Sequence, residues 1–379
     1  MVAEADEGPI PPETTEMHRS TRDLEALRAA LLPAVVAHLP GGTNHSLSEL
    51  RGTSATGMSS ETLLFDVTWE ERGVSQQRAL VARVAPDVGD VPVFPRYDLQ
   101  SQFQTIATVA AHSDVPVPPL WWCEPDPAPI GSPYFVMGRV EGEVPPDVMP
   151  YNFGDSWLFS AAPANQARLQ ESSISVLARL HAIDQPEARF AHLEGSFPGN
   201  TPLRRHVASR RAWYEWAAVD CGRSSMVEKG FAWMDAHWPR HESASVLSWG
   251  DSRVGNIMYR DFEPVGVFDW EMAGIGPPEL DLAWMVQLHR EFEDMASRFG
   301  FAGMPDFLRP DDAAATYERM TGRTPSDLDW YMTYASVQMA TVFLRTGWRQ
   351  VHFGERPPPD DADELVMNGP TLAALIAAR

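Results

Sequence analysis

The chain has 379 residues, more than one ordinary core accommodates, and 44% of them are hydrophobic, so two packed lobes are expected. A net charge of −22 excludes the basic stripe of a nucleic-acid binder, and mean hydropathy of −0.26 with no bilayer-length apolar run predicts no membrane partner. Two cysteines, Cys123 and Cys221, far apart in sequence, exclude a disulfide scaffold or thiolate metal site and predict a cytoplasmic setting.

Residues 1–20 are acidic and proline-rich, which predicts a disordered tail rather than a signal peptide. Arg22 to Leu39 is patterned as an amphipathic helix stopped by Pro40-Gly41-Gly42. Leu63, Phe65, Val67 and Trp69 then alternate as in a half-buried strand, and a turn over Glu70 to Gln76 leads to a partner strand, Arg78 to Ala85. Phe103, Ile106, Ala107 and Ala110 have helical spacing, and Trp121–Cys123 and Tyr134–Met137 read as two further strands around a proline-rich turn. After Gly138-Arg-Val-Glu-Gly142, the segment Pro145 to Trp157 is irregular and placed to act as a lid. Beyond it helices are predicted near 164–184, 205–219, 225–237, 279–297 and 327–347.

The most informative stretch is Leu247-Ser-Trp-Gly-Asp-Ser-Arg-Val-Gly-Asn-Ile-Met-Tyr259, followed by Val267-Phe-Asp-Trp-Glu271. Asp251 and Asn256 have the D-x-x-x-x-N spacing of a phosphoryl-transfer loop, and Asp269 follows on the second arm of a predicted hairpin. Phosphoryl transfer needs a carboxylate at the attacking hydroxyl and hard oxygen ligands for Mg²⁺ against the nucleotide phosphates. Asp251 is the candidate base, and Asn256 and Asp269 are the candidate metal ligands. Neither H-E-x-x-H nor G-x-S-x-G occurs, so hydrolase readings lack support.

The stretch resembles the aminoglycoside phosphotransferase and choline kinase family, whose motif runs H-G-D-x-x-x-x-N, then a hairpin, then I-D-W-E. Gly274-Ile-Gly-Pro-Pro-Glu-Leu-Asp-Leu-Ala283 is similar to the family's G-x-P-x-x-D-L-A. The resemblance is strongest to the branch of aminoglycoside phosphotransferase-like proteins of mycobacteria, related to kinase domains fused to some acyl-CoA dehydrogenases. It implies an α+β, bilobal protein-kinase-like fold: a β-rich N-lobe over 21–140 and a mainly helical C-lobe over 141–379. It implies ATP or GTP as donor, Mg²⁺ as cofactor and a small-molecule hydroxyl as acceptor, either an aminoglycoside or a hydroxyacyl-CoA. The negative charge suits a cationic aminoglycoside, and plain solubility equally well.

In that frame Arg51-Gly-Thr-Ser-Ala-Thr-Gly-Met-Ser-Ser60 is the loop fit to lie over phosphates, with Ser59 and Ser60 as contacts. Met137 and Arg139 flank the expected hinge for the base. Only Lys229 among the 30 basic residues is a lysine, so Arg83 stands where a phosphate-holding lysine is expected, and Gln102 replaces its acidic partner. Trp249 replaces the motif histidine. These three departures support a rival reading, a catalytically weak nucleotide-binding module. Arg253 is placed for either a phosphate or a neighbouring carboxylate, Glu271 for an auxiliary metal role or an arginine, and Asp281 for bracing the loop or favouring a helix start. His181 is expected to be a packed, hydrogen-bonded residue.

Overall fold

The computed structural model describes residues 21–39, 41–52 and 60–378. The expected tail over 1–20, and Ser59 with most of its loop, lie outside the described residues.

Helix α1 (Leu24–His38) starts where the Asp23 carboxylate accepts from the N–H groups of Glu25 and Ala26, and it buries Leu27, Leu31 and Val35 on one stripe. Strands β1 (Thr43–Leu47), β2 (Arg51–Gly52), β3 (Glu61–Glu71), β4 (Val74–Val84), β5 (Leu120–Glu124) and β6 (Tyr134–Gly138) make one antiparallel sheet, with β3, β4 and β6 at its centre. The β3–β4 hairpin turns on Arg72-Gly73 alone, both at positive φ, so the strands run longer and the turn is tighter than expected.

Strand alternation decides what each face of the sheet does. Leu63, Phe65, Val67 and Trp69 of β3, with Leu80, Ala82 and Val84 of β4, pack under α1. The intervening positions of β4, Val81 and Arg83, face the other way, toward a cleft. Helix α2 (Leu99–His112) covers that side and buries Gln102 and Ile106.

The rest of the chain is mainly helical: α3 (Pro163–Leu180), α4 (Pro186–Arg189), α5 (Pro202–Cys221), α6 (Ser225–Ala236), α7 (Glu279–Arg298), α8 (Pro310–Thr321), α9 (Leu328–His352) and α10 (Gly369–Ala377). Helices α4, α8 and α10 had no counterpart among the sequence expectations. Two small ribbons lie between α6 and α7: β7 (Val246–Ser248) with β10 (Gly274–Gly276), and β8 (Ile257–Arg260) with β9 (Glu263–Val267). One continuous core joins Val81, Phe135 and Met137 of the sheet to Leu177, Ile257 and Leu280 below it. The helical aromatics Trp213, Tyr214, Trp330, Tyr331 and Tyr334 are buried, and Trp216 is half-buried. The irregular segment over 145–157 is not a loose flap along its length, because Tyr151 and Phe153 are buried in the helical lobe.

Candidate active site

The site assembles where three backbone devices meet. After β7 the chain turns at Gly250, which has φ of +90° and whose added Cβ would fall on the Met272 carbonyl oxygen, so only glycine fits. The loop that follows carries Asp251, and a short helical turn at 254–256 brings Asn256 back beside it. Asn256 donates its amide N–H groups to the Asp251 carboxylate at 2.7 Å and to the Asp251 carbonyl at 3.0 Å. The β8–β9 hairpin, closed on Asp261-Phe262 at positive φ, then returns the chain to Asp269.

The strand does not continue past Val267. Asp269 itself takes a left-handed conformation, φ +60°, so Asp269 and Glu271 do not share a strand face despite their two-residue spacing. Both carboxylates nevertheless reach Arg83: Asp269 Oδ1 lies 3.2 Å and Glu271 Oε2 3.8 Å from the same guanidinium nitrogen. Arg83 also donates to Thr62 Oγ1 at 2.8 Å. Ser60 Oγ sits 3.4 Å from Glu271. The arginine therefore takes its carboxylate partners from the segment after β9, while Gln102 lines the same cleft from α2.

Trp249 explains how a motif without histidine holds its shape. The side chain is fully buried, and its indole N–H donates to the carbonyls of Phe268 (2.9 Å) and Asp269 (3.2 Å). It thereby ties the Asp251 loop to the turn bearing Asp269. Asp281, at the start of α7 and itself buried, accepts from the backbone N–H of Trp249 (2.8 Å) and of Gly250 (2.9 Å), and from Ser248 Oγ (2.9 Å). His181 lies 3.0 Å from the same carboxylate and 2.8 Å from Tyr317 OH, which makes it a packed partner and not a ligand.

Two residues at the site carried no motif. Trp284 donates its indole N–H to Asp251 Oδ1 at 2.8 Å. It sits three positions after Asp281, one helical turn along the same face, and that spacing could have pointed to it. Asp147, from the irregular segment, pairs with Arg253, whose Nε is 3.1 Å from Asp251. No local pattern marks such a residue. Burial works against the charge on Arg253, yet Asp147 and Asp251 outweigh it and hold the guanidinium firmly protonated. Burial pushes the carboxyls of Asp147 and Asp269 up, while Arg253 and Arg83 respectively pull against that rise.

Two spaces meet at Asp269. On one side a cleft is lined by Arg83, Met137, Arg139, Asn256 and Asp269. On the other, a second space is lined by Asp251, Arg253, Asp269 and Glu271 at one end. Arg139 lines the first cleft, but its guanidinium pairs with Asp66 and donates to the Phe65 carbonyl at 3.1 Å. At the expected hinge the N–H groups of Gly138 and Arg139 already donate to Pro119 (2.7 Å) and Ala79 (3.1 Å).

With its N–H groups turned to Asp251, the amide oxygen of Asn256 points away from that carboxylate, and Asp269 spends one carboxylate oxygen on Arg83. Two hard oxygen donors on one cleft fit Mg²⁺, which takes its remaining ligands from phosphate and water. Among the described residues no group of three or more His, Cys, Asp and Glu is arranged to hold a metal by itself.

Comparison with known proteins places this arrangement. A sequence profile described as the phosphotransferase enzyme family matches residues 67–320. The chain is 28% identical over 238 residues to acyl-CoA dehydrogenase family member 11 of Gallus gallus, covering 60% of this chain and 29% of that protein. It thus spans under a third of the curated relative's length. A crystal structure from Ralstonia eutropha JMP134, described as a candidate aminoglycoside phosphotransferase, superposes with a TM-score of 0.63 at 20% identity, covering 93% of this chain and 97% of that one. A thermostable mutant of aminoglycoside phosphotransferase APH(4)-Ia, in ternary complex with AMP-PNP and hygromycin B, superposes with a TM-score of 0.53 at 15% identity, covering 92% of this chain and 100% of that one. These likenesses establish the bilobal, kinase-like α+β fold. Among the described residues no helix is long and apolar enough to cross a membrane.

Proposed function

The chain belongs to the phosphotransferase enzyme family, and from that premise we propose that it transfers the γ-phosphoryl group of ATP or GTP to a hydroxyl of a small molecule. The observation that carries this reading is the pair of spaces meeting at Asp269, one beneath the sheet and one facing Asp251. A donor nucleotide in the first and an acceptor in the second would stand in line across the metal ligand.

Asp251 orients the acceptor hydroxyl and takes its proton as the new O–P bond forms and the bond to the β-phosphate oxygen breaks. Its carboxylate is held by Asn256 on one side and Trp284 on the other, so the base is aimed before substrate arrives. Arg253 lies close enough to the same carboxylate to meet charge developing on the transferred group. Arg83 reaches into the nucleotide cleft and steadies phosphates there. Ser60, Met137 and Arg139 are further proposed contacts of the nucleotide, Arg139 through its aliphatic stem because its guanidinium is committed to Asp66. Asn256 and Asp269 would hold Mg²⁺, which supplies neutralisation of the phosphate charge.

The test is Asp251→Asn. Nucleotide with Mg²⁺ should raise the melting temperature of the wild type and of this variant alike. Phosphate transfer in the variant should fall by a factor of about 10²–10⁴. Loss of the nucleotide-induced shift in the wild type under any divalent metal would refute the reading. A shift without turnover on any hydroxylated acceptor would favour the nucleotide-binding module.

A further inference from the structure

The carboxylate of Asp251 receives donors on both of its oxygens. Asn256 donates to Oδ2 at 2.7 Å and Trp284 to Oδ1 at 2.8 Å, while Arg253 Nε straddles the two oxygens at 3.1 Å from each. A carboxylate has about four lone-pair sites, and a base must keep one for the proton it takes. An incoming hydroxyl therefore has to displace one of the three side chains. Asn256 is held by a second bond, to the Asp251 carbonyl at 3.0 Å, and Trp284 is a buried ring of α7. Arg253 differs from both in having another carboxylate to rest on.

That carboxylate is Asp147, which pairs with Arg253 Nη1. The segment that carries it is pinned on both sides. Before it, Glu143 exchanges two backbone bonds of 2.8 Å with Tyr259 of β8, and the Val144 carbonyl accepts from Trp157 Nε1 at 3.3 Å. After it, Tyr151 and Phe153 are buried. The Asp251 loop is cut back to receive Asp147, because a Cβ on Gly255 would lie 2.4 Å from Asp147 Oδ1 and 2.7 Å from Arg253 Nη1. Gly255 has no left-handed φ, so it supplies room and not a special backbone conformation. With Nε on one carboxylate and Nη1 on the other, Arg253 Nη2 donates to no protein atom among the described residues. Arg253 and Asp147 line the same space as Asp251 and Asp269.

We propose that Asp147 is a positioning residue for phosphoryl transfer: it keeps Arg253 beside the transferred group after the acceptor hydroxyl has displaced the guanidinium from Asp251. The proposal rests on the phosphotransfer reading. With Asp251 as its one anchor, the guanidinium would compete with the hydroxyl for the base. Held by Asp147 as well, it gives up the base and stays, with Nη2 and the released Nε offered to phosphoryl oxygens.

The experiment is calorimetric titration of the full chain with Mg²⁺ and a nucleoside diphosphate (ADP or GDP, whichever binds the wild type more tightly), with and without aluminium fluoride. The planar fluoroaluminate and its in-line water stand for the phosphoryl group and the attacking hydroxyl. Fluoroaluminate should tighten binding to the wild type at least about tenfold, the worth of one charge-assisted hydrogen bond. Arg253→Met and Asp147→Ala should each remove most of that gain without weakening the diphosphate alone. The double variant should be no worse than Arg253→Met, because Asp147 acts only through Arg253. The diphosphate-induced melting shift reports folding. Gly255→Ala, which keeps both charges and pushes Asp147 aside, should lose part of the gain and serves if Asp147→Ala does not fold. A gain retained in Asp147→Ala or Gly255→Ala, or additive losses in the double variant, overturns the proposal. A loss shared equally by the diphosphate alone makes Asp147 a plain brace of the loop and overturns it too. A wild type that binds the diphosphate but gains nothing from fluoroaluminate overturns it with phosphotransfer still open to the turnover assay. Absence of any nucleotide binding overturns the phosphotransfer reading itself, and the proposal with it.

Discussion

Trp249→Phe isolates the bond that joins the Asp251 loop to the Asp269 turn. The buried indole N–H serves two carbonyls, Phe268 and Asp269, and the ring packs against Trp270 at 5.9 Å between centroids. Phenylalanine keeps an aromatic ring but removes the donor, which strands a buried acceptor at a cost of roughly 1–3 kcal/mol. The smaller ring leaves a cavity worth roughly 1–2 kcal/mol more. About 3 kcal/mol is a fair centre. Unfolding entropy of about 2.1 cal/mol/K per residue over 379 residues comes to about 0.8 kcal/mol/K, so the melting temperature should fall about 4 °C. The functional effect is more specific. Asp269 is held at φ +60°, a conformation that costs about 1 kcal/mol and persists only while its surroundings impose it. Freed of the indole bond, its carboxylate should bind Mg²⁺ less well, and the Mg²⁺ concentration for half-maximal ADP release should rise several-fold. A variant with wild-type melting and wild-type Mg²⁺ dependence would refute this account of Trp249.

Three other outcomes follow from the same geometry. Asp281→Asn turns an N–H toward the backbone donors of Trp249 or Gly250, so kcat should fall at least about tenfold with the nucleotide-induced melting shift retained; wild-type kcat would mean the loop stands without this brace. Gly250→Ala places a methyl on the Met272 carbonyl at a left-handed position, and should lower stability by several kcal/mol (roughly 3 or more) or prevent folding, as circular dichroism melts would record. His289 is buried between Tyr151 OH (3.0 Å) and the Met304 carbonyl (3.1 Å), and burial lowers its pKa from 6.5 to about 4. Between those values the unfolded chain binds a proton that the folded one does not, so stability falls as pH drops. The loss should be about 2 kcal/mol from pH 6.5 to 5, and a His289→Gln variant should show a shallower acid limb in melting temperature.

Legibility in the sequence tracked locality. Asp251, Asn256 and Asp269 lie within 19 positions of one another along the chain, and a hairpin is a local structure that turn residues announce. The alternation in β3 and β4 was equally readable, because one buried face imposes period two. Helices α4 and α10 escaped because they are short, and α8 because it buries only Ala313 and Tyr317, too few positions for a periodic signal. The partner of Arg83 escaped for a different reason. The expected helix position carries Gln102, and the carboxylates come from residues 269 and 271, far along the chain. A pairing across that distance leaves no spacing to read.

The same contrast divides the whole protein. By itself the sequence determined which candidate site residues come together, since Asp251, Asn256 and Asp269 stand at short offsets that a loop and a hairpin can close. It also determined the lobe order, which hydrophobic periodicity writes locally. Only the tertiary structure decided how a tryptophan substitutes for the motif histidine, because that depends on which carbonyls face a buried indole. It also decided what stands around the acceptor side of Asp251. Asp147, Arg253 and Trp284 converge there from the segment after the sheet, the loop and α7. Net charge is a sum over the surface, whereas an acceptor meets only the walls that folding gathers around Asp251.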